Sequence, residues 1–297
     1  MAQHLLPTLP IPPAIELGFT TSESLKSYFP QLDLVKLSDP SLNVHKISSR
    51  TTHNLVAPPS SSFPHIDDPT EAWEALYPQG SVNPANTIPG GFGFYLSGAN
   101  EFRSRLRTSK EVLMSYGVMF QEGWEWVKGG KLPGIYGGEG DSAYGCTGGR
   151  QGDRSSCFNL RLMWRAAGNG EVYAYLNPTP NNIAHLLKVP PSSKQNPDYG
   201  FSVGRGAFQF KPGRWFNIAQ RVKLNDVGHE NGEIQLWIDG ESVIHVTNLT
   251  LRESTEAYIQ GLHFQTFFGG NSPDWASPKD QRAWFGNVSG VIISQTE

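Results

Sequence analysis

The sequence predicts an all-β fold: a β-jelly roll sandwich of two antiparallel sheets with a concave groove, plus an N-terminal extension. Three observations point there. From about residue 66 onward, strand-like runs follow one another with turn residues between them. No strong amphipathic helix interrupts them, and no repeat of fixed period suggests a propeller or solenoid. Ten or more antiparallel strands without helices leave a two-sheet sandwich as the economical architecture.

Residues 1–65 differ from the rest. They carry prolines at 7, 10, 12 and 13, a helix-like SESLKSYF at 22–29, an apolar LDLVKL at 32–37 and a Pro/Ser-rich APPSSSFPH at 57–65. This reads as an arm or small subdomain packed on a main body of residues 66–297. In the body the clearest runs are GFGFYLSG (91–98), EVLMSYGVMF (111–120), FNLRLMWRA (158–166), EVYAYLN (171–177) and FSVGRGAFQF (201–210). RWFNIAQRVKLN (214–225), EIQLWIDGESVIHV (233–246), YIQGLHFQTFF (258–268) and AWFGNVSGVIIS (283–294) follow, with Asp239-Gly240 as a hairpin turn inside the second of these.

The composition narrows function. With 24 basic and 27 acidic side chains the formal charge is -3, so no long-range field favours nucleic acid or an anionic membrane, and neither is expected as a partner. An anionic ligand has to be met by a local basic patch. The 32 glycines and 22 prolines exceed the usual combined share of about 12% and indicate many turns. No run approaches the ~20 apolar residues of a membrane span, and the start lacks a basic n-region.

Cys146 and Cys157 enclose TGGRQGDRSS, a loop that an oxidising compartment could lock with a disulfide. Two buried thiols are the alternative. The sequons Asn248-Leu249-Thr250 and Asn287-Val288-Ser289 fit a secreted protein, although such triplets arise often by chance.

Strand alternation sorts the polar groups by face. In FNLRLMWRA, Leu160, Leu162 and Trp164 share one face; Asn159, Arg161, Met163 and Arg165 share the other. In EVYAYLN, Tyr173 and Tyr175 oppose Val172, Ala174 and Leu176. The AAGNG turn at 166–170 makes these two strands a hairpin, which lays arginines and tyrosines on one surface. His263 and Gln265 share a face of YIQGLHFQTFF, and Arg221 and Lys223 form a polar row on RWFNIAQRVKLN, either outward or in the groove. In GGKLPGIYGG (129–138) a single lysine, Lys131, stands among glycines and a proline, a setting that suits a side chain aimed at something fixed. Gly137-Gly138 and Gly148-Gly149 read as turns.

The segments KGGKLPGIYGG, CTGGRQGDRSSCFNLRLMWR, GEVYAYL and HFQTFFGG, in this order over roughly residues 70–295, resemble polysaccharide lyase family 14, and its fungal branch most. The resemblance implies a jelly roll that binds alginate or glucuronan in its concave groove. It also implies a functional set of a KLPG lysine, a serine and an arginine two apart, and a Tyr-x-Tyr pair. Carried over, these fall on Lys131, Asn159, Arg161, Tyr173 and Tyr175, with asparagine standing where the family has serine. In such lyases a base takes the C5 proton, charge spreads into the C6 carboxylate, and the 4-linked oxygen leaves protonated. Arg161 suits the carboxylate as a planar fork. Lys131 as base with a tyrosine as acid, or tyrosines in both roles, remain open. Asn159, Arg165, Arg221, His263 and Gln265 are the expected substrate-binding residues. No metal-ligand spacing occurs, and no cofactor is expected. The expected partner is an acidic polysaccharide, and the expected state a secreted monomer. A noncatalytic, lectin-like sandwich would use the same face, whereas a glycoside hydrolase needs two carboxylates that the groove strands scarcely offer: Asp239 and Glu241 sit around a turn, and Glu171 begins its strand at the hairpin end.

Overall fold

The computed structural model describes residues 10–11, 15–150 and 152–293; Pro7, Pro12, Pro13, Gln151 and Ser294 lie outside them. Two large sheets face each other. The first, called here the groove sheet, has the strand order Lys194–Gln195, Phe201–Gln209, Asn169–Tyr175, Cys157–Arg165, Gly129–Glu139, Ala257–Phe268, Phe92–Leu96, Val44–His45. The second, the outer sheet, runs Glu241–Leu249, Gly232–Ile238, Trp215–Lys223, Glu111–Phe120, Gln281–Ile293, Ile15–Thr20, Asp33–Leu34, with Ala72–Tyr77 and Asn54–Val56 added beside Gln281–Ile293. Neither path closes on itself, and pairing is antiparallel except between Ile15–Thr20 and Asp33–Leu34. This is the two-sheet jelly roll that alternation predicts.

One apolar core fills the space between the sheets. Leu160, Leu162 and Trp164 meet Val112, Met114 and Phe120 from the opposite layer, all buried. Phe92, Phe94 and Phe264 stack in parallel with centroids 5.3–6.1 Å apart. Near the N-terminus Ser22 caps the helix Glu23–Tyr28 by accepting the Leu25 N–H, and Leu25 and Leu32 pack on Leu113 and Val291 of the outer sheet. Two further short helices, Asn100–Leu106 and Pro180–Leu186, escape the sequence reading because each buries only a couple of side chains. The Asp239-Gly240 hairpin turn forms where expected, both residues at positive φ. Of the two sequons, Asn287 is buried and its amide donates to the Asp67 carbonyl, so that triplet is a structural element.

The principal difference concerns GGKLPGIYGG, which is not among the strand runs read from the sequence: Gly129–Glu139 is a central strand, paired on both sides and buried along nearly its whole length. Its glycines serve contact. A Cβ on Gly130 would meet the Trp164 ring at 2.1 Å, and one on Gly134 would meet the Leu160 carbonyl oxygen at 2.0 Å. Gly137-Gly138, expected as a turn, continues the same strand.

Pro133 has no N–H to give to a ladder, and the register slips between Leu132 and Gly134. The slip is a bulge, and side chains from the opposite sheet prop it across the core. The Tyr116 hydroxyl donates to the Pro133 carbonyl at 3.0 Å. Buried Gln220 accepts the Ile135 N–H at 2.7 Å and donates to the Leu160 carbonyl at 2.8 Å. Lys131 thereby reaches the groove before the bulge, and Tyr136 does so after it, opposite Asn159.

Replacing Gln220 with leucine strands one buried N–H and one buried carbonyl. We expect Gln220→Leu to lower unfolding free energy by about 3 kcal/mol, read by urea denaturation; a change within experimental error would show that the bulge is held by other contacts.

Candidate active site

The tyrosine and arginine strands pair in the predicted hairpin, with Tyr173 opposite Arg161 and Tyr175 opposite Asn159. The lysine strand lies on the other side of the arginine strand and places Lys131 beside Met163. Lys131, Arg161, Arg165, Tyr173, Tyr175 and Gln265 line one cavity of about 850 Å³ on the outward face of the groove sheet. Thr147 and Gly148 of the disulfide loop form part of its wall, with Asn271 and Trp275 elsewhere on the rim.

Arg161 is 1% exposed, yet among the described residues all its hydrogen-bond acceptors are uncharged. Its guanidinium donates to the Leu132 carbonyl at 3.3 Å, to Gln265 Oε1 at 2.9 Å and to the Gln265 carbonyl at 2.5 Å. Burial pulls its pKa down to about 10, so it remains a cation at neutral pH. A buried cation held by dipoles alone attracts any anion that enters.

Lys131 has still softer company. Its amine lies 3.1 Å from Met163 Sδ and 3.4 Å from the centre of the Tyr173 ring. Burial holds its pKa well below the ordinary lysine range, and Arg161 and Arg165 add to the effect. The amine is thus poised to lose its proton. Tyr173 and Tyr175 are moved the opposite way: burial raises both, although Arg161 and Arg154 pull Tyr175 partly back. They remain phenols, able to donate.

Asn159 and His263 are buried together, 2.9 Å apart between Nδ2 and Nδ1. With the amide donating, the ring carries its proton on Nε2. Burial, then Arg161 and Lys131, keep the imidazole neutral, and it stacks on Tyr95 at 4.2 Å. The side-chain oxygen of Asn159, Oδ1, is buried with no hydrogen-bond partner among the described residues.

Comparison with known proteins fits this geometry. The pattern of the family described as polysaccharide lyase 14 matches residues 66–288. The chain belongs to polysaccharide lyase family 14. A marine alginate lyase of that family from Aplysia kurodai is similar at 30% identity and a TM-score of 0.70, over 84% of this chain and 90% of the other. An alginate lyase from a Chlorella virus is similar at 22% identity and 0.60, over 85% and 93%. A third alginate lyase, solved with an alginate tetrasaccharide, shares 19% identity and 0.57, over 76% and 82%. Curated proteins gave no significant match.

In this lyase the expected set is brought together with one exception. Arg221 stands on the outer sheet, where Glu111, Glu233 and Gln235 take its guanidinium. It belongs to a surface ion network and does not reach the groove. Alternation had given its face correctly but carries no information about which sheet that face belongs to.

Sequence reading also missed residues. Glu171, read as a hairpin end, shares the parity of Tyr173 and Tyr175 and lies fully buried beneath the groove, ion-paired to Arg165 and Arg205 and accepting from Ser202 at 2.6 Å. Parity alone could have found it, as it could Phe267, two beyond Gln265. Arg154 could not be found that way: it folds back from the loop to the Arg150 and Tyr199 carbonyls. Cys146 and Cys157 are joined, with Cα atoms 5.7 Å apart, which fixes the base of that loop. Among the described residues no cluster of three or more His, Cys, Asp or Glu side chains could hold a metal.

Burial by itself raises Glu171, but Arg165, Ser202 and Arg205 outweigh it and hold the carboxyl below its ordinary range. Its stabilisation is therefore present above the usual carboxylate pKa and fades as pH falls through the lowered value. Glu171→Gln leaves Arg165 buried and unpaired; we expect a loss of about 3 kcal/mol and a flatter decline of melting temperature from neutral to about pH 4. An unchanged acid profile would place the linkage elsewhere.

Proposed function

We propose that this lyase cleaves a polyuronate of the alginate or glucuronan type by β-elimination at the Lys131–Arg161–Tyr175 cluster. The observation that carries the proposal is the buried guanidinium without an anionic partner beside a lysine whose ammonium form is disfavoured. Arg161 and Gln265 receive the C6 carboxylate and stabilise the charge that builds on it as C5 ionises. The Lys131 amine takes the C5 proton. The C5 electrons form the C4–C5 double bond, the bond to the 4-linked oxygen breaks, and the Tyr175 phenol gives that oxygen its proton. Net proton transfer from the lysine ammonium to the phenolate, directly or through solvent, resets both groups.

The groove argues against the two rival readings. Hydrolysis by the two-carboxylate route needs an acid and a base flanking the bond, but no carboxylate lines the cavity among the described residues, and Glu171 is occupied by two arginines. A purely binding groove gains most from a charged lysine, and burial here works against the charge.

Lys131→Ala is expected to cut turnover by about a thousand-fold and Tyr175→Phe by at least about a hundred-fold, with the circular dichroism of both unchanged. The assay follows the ultraviolet absorbance of the unsaturated uronate on alginate blocks and glucuronan. Because the base must be unprotonated and its pKa is lowered, kcat/KM should rise with pH through a single ionisation well below the normal lysine range and then level off. A limb at the ordinary lysine pKa, or a Lys131→Ala enzyme with near-full rate, removes Lys131 as base.

A further inference from the structure

A second cavity, of about 440 Å³, opens on the same face of the groove sheet at its other end. The residues on its floor face the same side of the sheet as the site, although a register shift between Ile259 and Gly261 reverses the alternation along Ala257–Phe268. On Ala257–Phe268 the core takes Ile259, Leu262 and Phe264, while Tyr258 and Gln260 face outward with His263 and Gln265. On Phe92–Leu96 the core takes Phe94 and Leu96, leaving Tyr95 outward, and His45 pairs directly with Tyr95. The offset along the shared strand from Gln265 to Gln260 is roughly 15 Å at the usual strand rise.

Between the cavities lies a floor of aromatic rings, in which Tyr136 and His263 are buried and Tyr95 and Tyr144 are half-buried at the surface. Tyr95 stacks on His263 at 4.2 Å and meets Tyr136 at 4.7 Å and Tyr144 at 4.8 Å. His45 lies 3.1 Å from the Tyr144 hydroxyl, which ties the edge strand to this floor. At the far wall Arg103 and Arg107 project from one face of the helix Asn100–Leu106 and its C-cap, one turn apart. Arg103 is held by the neutral Asn43 Oδ1 at 2.9 Å, and Lys46 rests over the Tyr144 ring at 4.2 Å. Neither makes an ion pair among the described residues. Arg107 does pair, with Glu256, but both groups are well exposed, and such a pair is readily exchanged for another carboxylate. Asp141 acts on Tyr144 and Glu256 pairs with Arg107, beside the three cations Arg103, Arg107 and Lys46.

We infer that this cavity is a distal subsite that binds the carboxylate of a uronate several sugars away from the bond being cut, on the same polymer chain. The inference rests on the polyuronate reading above. An anion alone would not need an aromatic floor; a sugar chain crossing from one cavity to the other presents ring faces to the half-buried Tyr95 and Tyr144 along the way. The helix arginines then take a second carboxylate, and the enzyme grips an internal stretch of polymer more tightly than a short end.

The test is Arg103→Ala/Arg107→Ala in the full chain; both positions are exposed and outside the catalytic cluster. Binding of a ladder of oligouronates, from disaccharide upward, is measured by calorimetry beside steady-state kinetics on polymer and on the shortest cleaved oligomer. For the wild type, affinity should step up once the oligomer is long enough to reach the arginines. In the double variant that step disappears, KM for polymer rises about tenfold, and kcat and the short-oligomer constants stay put. Arg103→Lys/Arg107→Lys should restore part of the step. An equal loss on short and long substrates, or no loss on polymer, overturns the distal subsite. If no double bond forms on any polyuronate, the lyase reading fails instead, and the presence or absence of the step in the binding ladder still decides the subsite.

Discussion

The burial of a guanidinium without a counter-ion is the constraint around which this molecule is arranged. Removing a charge from water is costly, and pairing with a carboxylate is the ordinary remedy. Arg161 takes another: two backbone carbonyls and one amide oxygen, contributed by neighbouring strands of the groove sheet. Dipoles compensate the charge without cancelling it. Burial first, and then the surviving field of Arg161, disfavour the charged forms of Lys131 and His263. One cation with no anionic partner among the described residues thus creates a receptor for an anion and, in the same volume, an amine whose charged form is disfavoured.

That arrangement has to be imposed by the fold, because nothing local favours it. The Leu132 carbonyl reaches Arg161 at the bulge around Pro133, and the bulge is held from the opposite sheet by Tyr116 and Gln220. Polar bridges through an otherwise apolar core cost more to leave half-made than they return when complete. Their presence beneath the site links the packing of both layers to the position of one side chain. Arg221 and Arg165 supply the contrast. Each is partly or largely buried, and each has carboxylates in contact. Where an arginine has found its acid within the chain, its role is architectural.

The distinction also explains what could be read from the sequence. The arginine and tyrosine strands alternate cleanly, so their faces and their hairpin were legible, and with them Asn159, Arg161, Tyr173 and Tyr175. The lysine strand was not. Its outward and inward positions are largely glycine, chosen because Trp164 and the Leu160 carbonyl leave no room for a Cβ, and a run of glycines looks like a loop to any reading based on side-chain pattern. The resemblance to a lyase family singled out Lys131, but nothing local announced that it sits in the middle of a sheet. Arg221 failed for a complementary reason: period-two alternation resolves two faces, whereas a sandwich has four. Glu171 obeyed the alternation and was set aside for its place beside a turn, although a strand residue at a hairpin end still faces one side or the other.

A polyanionic substrate poses a problem for a lysine base, since each carboxylate brought close favours the ammonium form. The same electrostatics that draw the polymer in would therefore disable the catalyst if Lys131 received the carboxylate itself. Dividing the labour resolves this. Arg161, a fork that stays charged, can engage the carboxylate in a two-bonded contact and absorb most of its field. Lys131, held against Met163 Sδ and the face of Tyr173, has only weak acceptors of its own and little to gain from being charged. Among the described residues Glu171 is the carboxylate that raises it, and Arg165 and Arg205 hold that charge in ion pairs. On the proposed mechanism, a groove that is basic enough to bind a polyuronate, lined by no carboxylate among the described residues and underlain by a paired glutamate, leaves the amine at its centre able to accept a proton from carbon.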